Sequence, residues 1–219
     1  MKEIIRLDNV VKMVNDQRIV NGVSLTVYEG EHVQVCGADQ NGRSMLMKLI
    51  AGMERPSNGQ VFVRGKAVHE LDADRAATFR NQTFGICLWE PSYMPNLTVW
   101  ENVALPLMIR GVDVLKRERA AKEQLKQMGI RAIAYAYPAQ LKPMEAQIAS
   151  ITRALVAQPP VLLIEDLTAG LSEKQAGQVM DVLSALAEAT IIGFTSGENV
   201  PGAQRRLVLE RGQLREETI

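Results

Sequence analysis

Between residues 36 and 44 the chain reads Cys36-Gly37-Ala38-Asp39-Gln40-Asn41-Gly42-Arg43-Ser44, and this stretch limits the possible folds more than any other. The apolar run Glu31-His32-Val33-Gln34-Val35 leads into it, and the helical-looking Met45-Leu46-Met47-Lys48-Leu49-Ile50-Ala51-Gly52 leads out. Strand, glycine-to-glycine loop, then helix is the setting of a phosphate-binding P-loop. That pattern asks for Gly-x-x-x-x-Gly-Lys-Ser/Thr. Gly37, Gly42 and Ser44 meet it, and Arg43 stands at the lysine position.

Composition narrows the function class. Lysine and arginine number 25, as do aspartate and glutamate, so the net charge is zero and no bulk affinity for nucleic acid is expected. No apolar run approaches the roughly 20 residues of a membrane-spanning helix. Met1-Lys2-Glu3-Ile4-Ile5-Arg6 lacks the long apolar region of a secretion signal. Cys36 and Cys87 sit in apolar stretches and read as small core residues in a reducing compartment, with no metal spacing around them. His32 and His69 stand alone and read as framework positions. The expected location is the cytoplasm.

Along the chain, Ile5 to Val10 and Val20 to Val27 alternate apolar and polar residues, the period of half-buried strands. Glu29-Gly30 marks a turn, and Gln60 to Gly65 is another short strand. A short helix from about Asp72 to Asn81 leads to an apolar strand, Thr83 to Trp89. Val99 to Ile109 and Val114 to Met128 are expected helices, the second with Leu115, Ala121, Leu125 and Met128 at roughly helical spacing. The charges around Lys116 and Glu123 read as a solvated face. A helix over Met144 to Ala157 stops before Pro159-Pro160. Val161-Leu162-Leu163-Ile164 is continuously apolar, as in a parallel strand covered on both faces, and ends in Glu165-Asp166. Lys174 to Ala189 suits a helix, Thr190 to Thr195 a buried strand, and Arg206 to Leu214 a closing hairpin.

Finer matches extend across nearly the whole chain. They include Arg80-Asn81-Gln82 before Gly85, Met94 to Leu107, Arg153-Ala154-Leu155-Val156 before Pro159, and Leu209-Glu210-Arg211-Gly212. With these residues the chain resembles the ATP-binding subunit of ABC transporters, in the branch serving lipoprotein release, macrolide efflux and cell division. The resemblance implies an α/β fold: a P-loop NTPase-like core with a mainly parallel sheet, an antiparallel β layer at the N-terminal side, and a helical, signature-bearing subdomain. It implies one domain over residues 1–219, with about 1–88 and 158–219 forming the core and about 89–157 the helical part. Two such subunits close head to tail around two ATP molecules, and each site takes a P-loop from one chain and a signature helix from the other.

Carried onto this chain, the resemblance places nucleotide contacts at Gly37, Asn41, Gly42, Arg43, Ser44 and Met45, and Mg²⁺ ligands at Ser44 and Glu165. Several positions depart from the pattern. Gln40 replaces a glycine, and Asp39 puts a carboxylate where phosphates would approach. The adenine-stacking position falls near Met13-Val14, which holds no aromatic ring. Trp89 takes the place of a metal-sensing glutamine; indole has no oxygen, so Trp89 and Tyr93 read as partner contacts. The signature is Leu141-Lys142-Pro143-Met144-Glu145, without serine or glycines, and Pro143 lacks the N–H a phosphate would use. Asp166 stands at the general-base position one methylene short, and Ser196 stands at the switch-histidine position.

Three functional readings follow. In the leading one, the chain is a degenerate ATP-binding subunit, a pseudo-ATPase holding ATP and Mg²⁺ weakly or not at all. It would act as scaffold or regulator at the inner face of the cell membrane, with a membrane permease and as a homodimer or heterodimer. The alternatives are a slow but functional transport ATPase, and a soluble nucleotide-sensing or interaction module. The substrate, its direction of transport and the permease are not written in the residues.

Overall fold

The computed structural model describes residues 1–38, 40–88, 90–166, 171–184, 189–196 and 202–217. Two compact units emerge. One comprises Met1–Arg80, Leu163–Asp166 and Glu188–Ile219, the other Asn81–Leu162 and Leu167–Ala187. Each is described on its own.

The first unit opens with two long strands, β1 (Glu3–Val14) and β2 (Gln17–Tyr28). Asn15 and Asp16 join them, both at positive φ (46° and 62°), as a two-residue hairpin turn requires. β1 buries Ile4, Ile5, Leu7 and Val10; the alternation holds from Ile5 to Asp8 and then slips by one residue at a β-bulge, where Asn9 has φ +45°. β3 (His32–Cys36) and helix α1 (Gln40–Ile50) follow, then β4 (Asn58–Val63), the two-residue β5 (Lys66–Ala67) and most of α2 (Ala73–Thr83). β2, β1, β4 and β5 form one sheet in that order, and β1 is antiparallel to both β2 and β4. This is the expected antiparallel layer.

The second sheet is built around β3. Its neighbours are β8 (Thr190–Thr195) and β9 (Arg205–Glu210), both parallel to it. β10 (Gln213–Glu217) closes an antiparallel hairpin with β9, and on the other side β8 lies next to β7 (Val161–Glu165). Every residue of β7 and β8 is buried, which is why Val161 to Ile164 reads as a continuous apolar run and β8 is apolar between its terminal threonines. α1 buries Leu46, Met47, Leu49 and Ile50, and Arg80 donates to the Gly52 carbonyl just past its end at 3.1 Å. That cation satisfies a carbonyl beyond the helix C-terminus, where positive charge is favoured.

The second unit holds β6 (Phe84–Cys87), α3 (Val99–Ile109), α4 (Val114–Gln127), α5 (Pro143–Leu155) and α6 (Glu173–Ser184). Val99, Val103, Ala121, Leu125 and Ala149 form its core. Thr98 and Glu101 cap α3, and the Asp113 carboxylate accepts from the Leu115 N–H at 3.0 Å to start α4. Leu115 is 72% exposed, whereas Ala121, Leu125 and Met128 are buried. At roughly 100° per residue, Leu115 stands about 80–140° around the helix from those three.

Candidate nucleotide site

β3 delivers the chain to Gly37, whose φ is +152°. A Cβ there would stand 2.3 Å from the Leu209 carbonyl oxygen of β9, so only glycine permits this approach. α1 then starts at Gln40, and Gly42, Arg43 and Ser44 lie within its first turns. Asp39 lies outside the described residues, as do the side chains of Gln40 and Asn41. Ser44 and Met45 are half-buried.

Arg43 does not reach outward. It is 3% exposed, its guanidinium donates to the Gly37 carbonyl, and its other terminal nitrogen lies 3.7 Å from the Asp166 carboxylate. Asp166 follows β7 at φ +42°, a conformation few non-glycine residues adopt. Two contacts hold it. Its own N–H donates to the Phe194 carbonyl at 2.7 Å, and its Oδ1 accepts the Ser196 N–H at 3.1 Å. The segments leaving β3, β7 and β8 therefore meet through a cation, a carboxylate and a backbone amide. A guanidinium this deeply buried would cost several kcal/mol if unpaired, so the carboxylate and carbonyl are what permit its burial. Glu165 ends β7 and is also buried.

The fit of a nucleotide can be judged from this arrangement. Ser44 and Glu165 keep the oxygen donors that suit Mg²⁺. The loop's one cation, however, is engaged by groups of the chain itself, so a phosphate would first have to displace Asp166. Arg43 thus faces groups of its own chain, while Ser44, after β3, and Glu165, at the end of β7, remain as oxygen donors. Met13 and Val14 at the end of β1 are exposed and offer no ring to stack on a base.

With the geometry established, comparison with known proteins is informative. The ABC transporter family model matches residues 20–169, about two thirds of the chain. This chain belongs to the ABC transporter family. Among curated ABC relatives, the lipoprotein-releasing system ATP-binding protein LolD of Chromohalobacter salexigens is 30% identical over 92% of this chain and 87% of its own length. The macrolide export ATP-binding/permease protein MacB of Shigella flexneri is 32% identical over 87% of this chain, but only 30% of that longer protein is spanned. Among solved structures, the dimeric post-hydrolysis ATP-binding cassette MJ0796, bound to ADP and Pi, superposes with a TM-score of 0.90 at 28% identity, covering 97% of both chains. The expected α/β P-loop NTPase-like fold is that of this ABC cassette.

The other positions that the ABC resemblance singled out lie in the second unit. Leu141 and Lys142 lead to Pro143 at the first position of α5, Met144 is exposed, and the Glu145 carboxylate turns back to accept the Lys142 N–H at 2.9 Å. The segment is thus occupied in starting its own helix. Trp89 lies outside the described residues. The Tyr93 hydroxyl donates to the Ala146 carbonyl in the first turns of α5, and its ring faces the Arg153 guanidinium at 5.1 Å. Burial pushes its phenol above the ordinary tyrosine range, so it stays neutral and a donor.

Two features were not anticipated from the sequence. One is the Arg43–Asp166 pairing, for which the sequence carries no signal, because it depends on which strands are neighbours. The other is Asn102, fully buried, whose amide donates to the carbonyls of Met94, Leu97 and Thr98 and whose oxygen accepts the Met94 N–H at 2.8 Å. The signal was present there: an asparagine inside an otherwise apolar helix, four residues after Thr98.

Proposed function

We propose that this chain is an ATP-binding-type subunit of an ABC transporter that hydrolyses ATP poorly or not at all, and serves as scaffold or regulator beside a membrane permease. The observation that carries this reading is the engagement of Arg43, at the P-loop lysine position, by Gly37 and Asp166. Asp166, at the general-base position, is in turn committed to Arg43 and to the Ser196 N–H. Ser196 itself has no imidazole. Losing one preorganised donor or proton-transfer group commonly costs 10²–10⁴ in rate, and several are altered here.

The names of the relatives support the transport setting, since LolD belongs to a lipoprotein-releasing system and MacB joins ATP-binding and permease functions. No described helix is long and apolar enough to cross a membrane. The same relatives support a position beside a membrane permease, at the inner face of the cell membrane in this reading. The P-loop half and the signature half are both altered in this one chain. Pairing with itself, or with an intact cassette, would therefore leave each shared site with at least one poor half.

The test is ATP turnover by a reconstituted complex in which this chain is the sole ATP-binding subunit. A rate well below about 1 s⁻¹ is expected, and a rate at or above that, inside the usual enzyme range, overturns the reading. Retention of Ser44 in the first turns of α1 and of Glu165 at the end of β7 favours a second reading, a slow transport ATPase. A thermal shift with Mg-ATP that is abolished by Ser44→Ala would favour it.

A further inference from the structure

The carboxylate of Asp166 lies 3.7 Å from the Arg43 guanidinium, an ion pair just beyond hydrogen-bond distance. A guanidinium fork binds carboxylate and phosphate oxygens through the same charge-assisted hydrogen bonds, so the two anions are natural competitors for one arginine. We propose that Asp166 is an internal stand-in for phosphate: it occupies the loop's cation in the free protein, and a nucleotide phosphate chain binds only by expelling it. This inference rests on the reading of Gly37 to Ser44 as a phosphate loop.

Three observations converge on it. Arg43 is the only cation between Cys36 and Met45, so a phosphate has no other charged side chain of the loop to use. The pair is sheltered, with Arg43 3% and Asp166 13% exposed, which keeps water from weakening the attraction. Asp166 is also held in place independently of Arg43, by the Ser196 N–H at 3.1 Å and by its own N–H to Phe194 at 2.7 Å, at a φ of +42°. A carboxylate pre-positioned in this way loses little further freedom on meeting the arginine. An entering anion must move it.

Expulsion has a structural consequence. Asp166 ties the end of β7 to the end of β8 through the Ser196 amide. A phosphate that takes Arg43 must push the carboxylate aside against the Ser196 contact, so occupancy of the loop is coupled to the segments after both strands. By linkage, anything that grips the Asp166–Ser196 contact disfavours nucleotide.

Removing the competitor should therefore strengthen binding. Asp166→Asn keeps an oxygen for the Ser196 N–H and deletes the charge. Mg-ADP is the probe, because it needs no hydrolysis, and inorganic phosphate in a second titration separates the phosphate contribution from that of the rest of the nucleotide. Calorimetry should find ADP affinity raised at least about tenfold in Asp166→Asn. In an Arg43→Gln background the same change should bring less than about twofold. Unchanged or weaker binding by folded Asp166→Asn overturns the proposal, as does an equal gain in the Arg43→Gln background, which would reduce the effect to general charge removal. If Asp166→Asn does not fold, Asp166→Ser, neutral and still an acceptor, is read in the same way. A failed affinity gain would leave the low-turnover reading standing, and high turnover would leave the ADP comparison intact.

Discussion

Asn102 illustrates what a single side chain does in this protein. With no exposure, it satisfies the polar groups of the Met94–Thr98 bend from one turn inside α3. Truncation would leave several buried partners without a hydrogen bond, each worth about 1–3 kcal/mol. Asn102→Ala is therefore expected to cost about 2–4 kcal/mol in urea unfolding. Asn102→Asp, which cannot donate, should be at least as damaging. A loss under about 1 kcal/mol for either would show that water replaces the clamp. Arg43 teaches a different lesson at the same size. Its identity, an arginine at the lysine position, was legible in the sequence. Its partner was not legible, because nothing near Arg43 in the chain marks Asp166 as its neighbour.

Between elements, close approach is set by small residues. On Gly85 in β6, a Cβ would meet the Ala154 carbonyl at 2.2 Å and the Leu162 side chain at 2.6 Å. That glycine lets β6 lie against the end of α5 and the start of β7, all within the second unit. Gly85→Ala should cost about 1–3 kcal/mol, as overpacking does, read as a lowered midpoint in thermal or urea unfolding. A neutral effect would mean that α5 can shift without penalty. The elements themselves were largely readable. Val99–Ile109 and the β7 and β8 runs fall where periodicity and apolar continuity place them, because each element is shaped mainly by its own neighbours in sequence. α5 begins at Pro143 for a local reason too, since proline suits a first helical position. The inward side of α4 follows its spacing too: Ala121, Leu125 and Met128 are buried, and Leu115, about 80° or more around the helix from each, is exposed.

For the whole chain, the acid response should be modest. Arg205, hydrogen-bonded to Glu216 and Glu31, lowers the pKa of Glu216, and Lys122 lowers that of Glu118. A depressed carboxylate contributes stability above its unfolded pKa and loses it as pH falls through the folded value. Tm should therefore drop below the ordinary carboxylate range, and Glu216→Gln should remove part of that drop. Both pairs are solvent-accessible, so their contribution is small and should fade in high salt. An acid loss that does not shrink with salt would point to buried groups instead. The sequence alone determined the order and type of the elements, the ABC resemblance and the list of altered positions, since all of these are written in local pattern and in the identity of single residues. Only the tertiary structure decided what the altered positions do to one another. β3, β8 and β7 lie side by side, and that order brings the ends of three distant segments together. The Gly37-to-Ser44 loop therefore meets its anion, Asp166, from within the chain. Pairing of that kind depends on which strands are neighbours, a property that no stretch of sequence carries on its own.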